Sequence, residues 1–178
     1  AARELLGREA RIDLADRKGR AALWYAARYC RGELVDLLLG AGAQPNIADR
    51  DGYTALHVAA AKGCSPAVAS LLAAGANIEA RTGRKNTPLI LAVRAGETDI
   101  ALQLIEAGAE ANASNNNGDT ALMYAVGAGE PVLVARLLDQ GGDPYRRNEL
   151  GESALARAEQ NHPELVKLIR EKSAFRFP

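Results

Sequence analysis

The sequence predicts an all-α solenoid of stacked helix–turn–helix units joined by β-turn or hairpin-like fingers. Three observations predict it. A capping position recurs every 33 residues, at Ala21, Thr54, Thr87, Thr120 and Ser153. Two residues after each comes Leu23, Leu56, Leu89, Leu122 and Leu155, and three further on Ala26, Ala59, Ala92, Ala125 and Ala158. A glycine closes each complete unit at Gly42, Gly75, Gly108 and Gly141. One short unit cannot bury its apolar face alone, so a fixed period of this kind implies stacking into a single elongated domain over residues 1–178.

The stretch from Asp49 to Ala80 is the cleanest unit. Gly52 supplies the left-handed backbone that a tight turn needs. The hydroxyl of Thr54 caps a free amide of the first helical turn. Leu56, Ala59 and Ala60 mark one apolar face of a short helix that Gly63 stops. Val68, Leu71 and Leu72 mark a second helix, ended at Gly75.

The other units follow in order. Residues 1–15 read as the second helix and outgoing turn of a partial leading repeat. Leu5 and Leu6 lie 33 before Leu38 and Leu39, and Glu9 replaces the stop glycine. A natural cap and a cut into a longer array both fit. In repeat 16–48, Ala21 lacks the capping hydroxyl, a loss of about 1 kcal/mol, and Trp24, Tyr25 and Tyr29 crowd the first helix. Repeat 49–81 is the regular one. Repeat 82–114 has Lys85 in place of the turn glycine, which suggests another turn, while Pro88 suits the first helical position. Repeat 115–147 opens on Asn115–Gly118 and carries Pro131 early in its second helix. Residues 148–178 form a degenerate C-terminal cap. Its second helix fits only with one residue deleted between the helices, and Arg157 and Glu159 replace apolar positions. The tail Phe175–Pro178 reads as a fold-back over the core, a mobile end or a linear motif.

The segments Thr54–Ala60 (TALHVAA), Thr87–Val93 (TPLILAV) and Thr120–Val126 (TALMYAV), each followed by paired aliphatics and a glycine, resemble the ankyrin repeat. The resemblance covers nearly the whole chain. It implies a non-catalytic protein–protein interaction module (scaffold, inhibitor or effector-type adaptor) that needs no cofactor and works as a monomer. It also implies that His57 is structural, bonding between adjacent turns. Partners of such arrays dock on the concave side, formed by fingertips and the exposed side of each first helix. Carried onto this sequence, the partner-binding candidates are Arg17, Arg20, Tyr25, Arg28, Tyr29, Arg50, Asp51, Tyr53, Lys62, Arg84, Asn86, Asn117, Asp119 and Tyr124. Tyr25 and Tyr29, spaced i, i+4, share one helix face, and Tyr and Arg are enriched among interface hot spots.

Charge adds a second reading. Lys+Arg and Asp+Glu both total 22, yet residues 1–94 hold 14 basic and 9 acidic side chains, net +5, leaving net −5 for residues 95–178. The alternative function is therefore recognition of an anionic ligand or nucleic acid by the basic N-terminal half, with tyrosines stacking on bases. The acidic half opposes long polyanions.

Catalytic and metal chemistry finds no support. His57 and His162 lie three repeats apart, roughly 30 Å at about 10 Å per step, too far to share a metal. Gly40–Gly42 follows no strand and makes no dinucleotide loop. Asn115–Gly118 lacks calcium ligands at the first and last loop positions. Asn112-Ala-Ser114 matches a glycosylation sequon of the kind common by chance. Cys30 and Cys64 fall on neighbouring repeats. With equivalent helices about 8–10 Å apart and a disulfide spanning about 4.4–6.8 Å between Cα atoms, two separate thiols are expected rather than a bridge. No apolar run approaches the roughly 20 residues of a membrane span, and no secretory signal is visible. A cytoplasmic location is favoured, and a removed signal stays open.

Overall fold

The computed structural model describes residues 12–174. The expectations for Leu5, Leu6, Glu9 and the Phe175–Pro178 tail lie outside the described residues. Among the described residues, ten helices form two rows. The inner row is α1 (Ala22–Arg28), α3 (Ala55–Ala60), α5 (Pro88–Ala95), α7 (Ala121–Gly127) and α9 (Ala154–Asn161). The outer row is α2 (Gly32–Gly40), α4 (Ser65–Ala73), α6 (Thr98–Glu106), α8 (Pro131–Asp139) and α10 (Pro163–Ser173). Each inner helix packs on its outer partner and on the inner helix of the next unit, and the outer helices stack likewise.

The repeat chemistry explains the rows. Thr54, Thr87, Thr120 and Ser153 each accept a backbone N–H three residues on, from His57, Ile90, Met123 and Ala156. Ala21 makes no such bond. Leu56, Leu89 and Leu122 are fully buried between rows, and Ala59, Ala92 and Ala125 are buried to the last atom. Alanine at that position lets neighbouring inner helices approach closely, so the core is one continuous seam rather than five separate ones. Inner helices start at 22, 55, 88, 121 and 154, while outer helices start at 32, 65, 98, 131 and then 163. The last step is one residue short, as expected for the cap. The turn residue and the N-cap of earlier units have merged there into His162, whose ring lies against Gly129.

The fingers repeat a second device. The side chain that opens each finger accepts backbone N–H groups two and four residues on. Asp16, Asp49, Asn115 and Asn148 do so with Oδ1. Antiparallel bridges close three fingers, Ala48 with Thr54, Ser114 with Thr120 and Arg147 with Ser153. The third finger follows the same path despite its sequence. The Thr82 hydroxyl accepts the Asn86 N–H, and the Thr82 N–H donates to the Asn86 carbonyl at 3.1 Å. Lys85 takes the left-handed conformation (φ 56°) that Gly52 and Gly118 hold in neighbouring fingers. The expectation of a different turn is thus corrected: hydrogen bonding to the fingers on either side holds the backbone and forces the lysine into a glycine's conformation. A left-handed non-glycine residue costs about 1–2 kcal/mol, partly offset because glycine loosens the unfolded chain. Lys85→Gly should therefore raise the free energy of unfolding by about 0.5–1 kcal/mol, read as a higher urea midpoint at unchanged slope.

The cysteines also correct an expectation. Cys30 and Cys64 form a disulfide, with Cα atoms 5.2 Å apart. The helix-to-helix distance was the wrong measure. Both residues sit in the turns after α1 and α3, where Cys30 bends left-handed (φ 52°) at the position held by Gly63, Gly96 and Gly129 in later repeats. Their offset of 34, one more than the period, brings the second cysteine over the first. The same offset lays Glu97 on Gly63 one step along.

Candidate binding surface

Neighbouring fingertips are joined by backbone. The carbonyls of Lys18, Asp51, Arg84 and Asn117 accept the N–H groups of Arg50, Gly83, Asn116 and Glu149 at 2.9, 2.7, 3.0 and 2.9 Å. These four bonds turn five separate loops into one belt beside the inner helices. Glycine is required where the belt is tightest: a Cβ on Gly118 would lie 2.9 Å from the Asn148 Cα. Side chains on this belt are thus displayed by a framework that needs little ordering on binding.

Inside the stack, His57 fixes the second finger to the third. The Thr54 N–H donates to its Nδ1 (3.2 Å) and its Nε2 reaches the Asn86 carbonyl (3.1 Å), which fixes the neutral Nε2–H tautomer. Burial holds the imidazole pKa below its ordinary value of 6.5. The structural reading of this histidine is the geometry observed.

The candidate residues separate into three groups. The first is an aromatic–arginine cluster on α1. Tyr25 and Tyr29 stack at 6.4 Å, Tyr25 packs edge-on to Trp24 at 5.2 Å, and the guanidinium of Arg20 lies over both Trp24 and Tyr25. Arg28 covers Trp24 from the other side. Much of this cluster is occupied internally. Arg20 Nη2 donates to Asp16 Oδ2 at 2.8 Å and the Tyr25 hydroxyl donates to the same oxygen at 2.7 Å. The Arg20 backbone N–H and then the Tyr25 hydroxyl hold the Asp16 carboxyl well below the usual carboxylate range, and the bond to Asp16 pushes the Tyr25 hydroxyl up. Tyr29, 64% exposed, and Arg28 are the members that stay on the surface. Tyr53 does not join the cluster. It packs edge-on against His57 at 5.9 Å.

The second group is the exposed fingertips and floor: Arg17, Arg50, Asp51, Lys62 and Asn117 all face solvent. The third is the step between fingers three and four. Arg84, Asn86, Arg94, Asn115, Asn116, Asn117 and Tyr124 line a cleft of about 280 Å³. Arg94 lies over the Tyr124 ring at 5.5 Å. The Tyr124 hydroxyl accepts from Asn115 Nδ2 (3.1 Å) and donates to Asp119 Oδ2 (3.2 Å).

Two candidates turn out to be internal. Asn86 is 2% exposed and its Oδ1 accepts from Asn115. Asp119 is buried, and its Oδ1 accepts from Asn148 Nδ2 at 2.9 Å and from Arg157 Nη2 at 2.8 Å. Arg157 therefore ties the cap to the fourth repeat, and the Asn112 amide, donating to the Gly141 carbonyl at 2.8 Å, is occupied in the same inter-repeat way. Arg94 was missed by sequence reasoning, although a signal was present. It stands two periods after Arg28, and Tyr124 stands three periods after Tyr25.

Among the described residues, no group of three or more His, Cys, Asp or Glu side chains is placed to hold a metal ion. Nor, among the described residues, is any helix long and apolar enough to cross a membrane. A family model described as ankyrin repeats (3 copies) matches residues 1–82, 33–115 and 89–175. No curated protein matches the chain.

Proposed function

Because the chain belongs to the ankyrin-repeat family, whose members generally serve as protein–protein interaction modules and are typically non-catalytic, we propose that it holds a protein partner on the face built from its fingers and inner helices. One observation carries this reading: the backbone-linked belt of fingertips displays Arg17, Arg50, Arg84 and Asn117 without using their side chains to hold the fold together. A pre-formed face of this kind loses little conformational freedom on binding, and a face of this length offers about 800 Å², a usual share of a stable interface. The candidate residues that remain on the accessible surface are Arg17, Arg28, Tyr29, Arg50, Asp51, Lys62, Arg84, Asn117 and Tyr124.

Affinity capture from the native cell, run with three baits, tests the reading. Wild type and Val132→Ser, a change on the exposed side of α8, should retain the same partner. Tyr29→Ala/Arg50→Glu should lose it while melting like wild type. A partner kept by the finger-face variant and lost by the α8 variant would place binding on the opposite side.

A further inference from the structure

We propose that the cleft between fingers three and four receives a carboxylate side chain from an acidic residue of the partner; this rests on the finger-face reading above. Two cations converge on the cleft. Arg84 reaches it from the third fingertip and Arg94 from the last turn of α5. Among the described residues neither forms an ion pair. Lys85, next to Arg84, is likewise exposed and without an acidic partner.

Asp119, bonded to the cleft residue Tyr124, is engaged away from both arginines. Its Oδ1 accepts from Asn148 and from Arg157, which also pairs with Glu152, and its Oδ2 accepts from the Tyr124 hydroxyl. Among the described residues no ion pair joins it to Arg84 or Arg94, which keep their charges for an incoming group. Tyr124 holds the face of Arg94. A guanidinium stacked on a ring offers its N–H edge outward, the geometry for forked bonds to a planar oxyanion.

Size and surroundings select the occupant. About 280 Å³ is below the usual range for cofactor-sized ligands and suits one side chain. The adjoining fingertips carry exposed Asp51, next to Arg50, on one side and Glu149 on the other. These carboxylates interrupt the positive charge along the belt, which disfavours a continuous phosphate backbone and suits a peptide of mixed charge, with one acid set between neutral or basic residues. A pair of arginines without ion pairs, with a carboxylate on the fingertip to either side, therefore reads a single negative side chain in preference to a polyanion.

The test is a titration followed by amide and arginine side-chain NMR signals. The probes are a glutamate-bearing peptide of mixed charge, its glutamine counterpart, its phosphoserine counterpart and a single-stranded oligonucleotide. The glutamate peptide should bind at about millimolar strength and move signals of Arg84, Arg94, Asn117 and Tyr124. The glutamine peptide should bind about tenfold more weakly, the loss expected for one charge-assisted pair. Arg84→Gln should reproduce that loss with an unchanged melting curve. Arg94→Gln should add to it, its fold checked by the same melt. Equal binding of the glutamate and glutamine peptides overturns the inference. So do shifts confined to other residues, or phosphoserine or oligonucleotide binding more than about tenfold tighter than the glutamate peptide. If Arg84→Gln still captures the cellular partner at full strength while Tyr29→Ala/Arg50→Glu does not, this inference fails and the finger-face reading stands.

Discussion

Replacing Cys30 and Cys64 together by serine should lower the free energy of unfolding by about 3–4 kcal/mol, and a reductant should do the same to wild type. The magnitude follows from the sequence separation of 34 between the cysteines: closing a loop of that length in the unfolded chain removes entropy worth about 3–4 kcal/mol. The position makes the effect local as well. The first full repeat is the one whose inner helix lacks a side-chain cap, which makes it a weak unit of the stack. The bridge fastens that unit to the regular repeat behind it. A further variant separates the bridge from backbone strain. Cys30 holds a left-handed conformation that suits glycine, so Cys30→Gly/Cys64→Ser should recover about 0.5–1 kcal/mol relative to the double serine. Urea unfolding of the four samples checks both numbers. Reduced and oxidised wild type with the same midpoint would leave the bridge without a role in stability.

What was legible in the sequence was whatever a single repeat encodes within itself. Caps at Thr54, Thr87, Thr120 and Ser153, the buried leucines two places on, and the stop glycines each act inside one unit, so their recurrence located the helices and even the one-residue deletion in the last. What stayed hidden lies between units. Cys64 meets Cys30 because the step between repeats brings position 34, not 33, into contact. Asn86 and Asp119 look like fingertip side chains in isolation, yet the next finger covers both. Arg94 meets Tyr124 across the same kind of step. Lys85 shows the converse, since the neighbouring fingers impose a conformation its own propensity opposes. The proposed binding face is built at these steps, which explains why the fold was readable in more detail than the candidate site.

His57→Ala should lower the free energy of unfolding by about 3–5 kcal/mol at pH 7.5, in the range of deleting a large buried side chain and of leaving buried polar groups unmatched. The ring is fully buried. Its loss leaves the Thr54 N–H without an acceptor and the Asn86 carbonyl without a donor, and it cuts the link from the second finger to the third. The difference between wild type and variant should shrink as the pH falls, for a reason the hydrogen bonds supply. In the folded protein the imidazole pKa lies below 6.5, chiefly because burial penalises the charged ring. Protonating Nδ1 would also turn a donor toward the Thr54 N–H. The unfolded chain therefore takes up a proton near pH 6.5 that the folded chain refuses until lower pH. The stabilisation is complete above the unfolded value and declines as the pH drops from there toward the depressed folded value, at no more than about 1.4 kcal/mol per pH unit. Chemical unfolding at pH 7.5 and 5.5 measures this directly. A gap between the two proteins that is the same at both pH values would mean that the ring takes up its proton as readily in the fold as in the unfolded chain, so that burial does not hold it neutral; a gap that widened at pH 5.5 would mean a ring already charged in the fold.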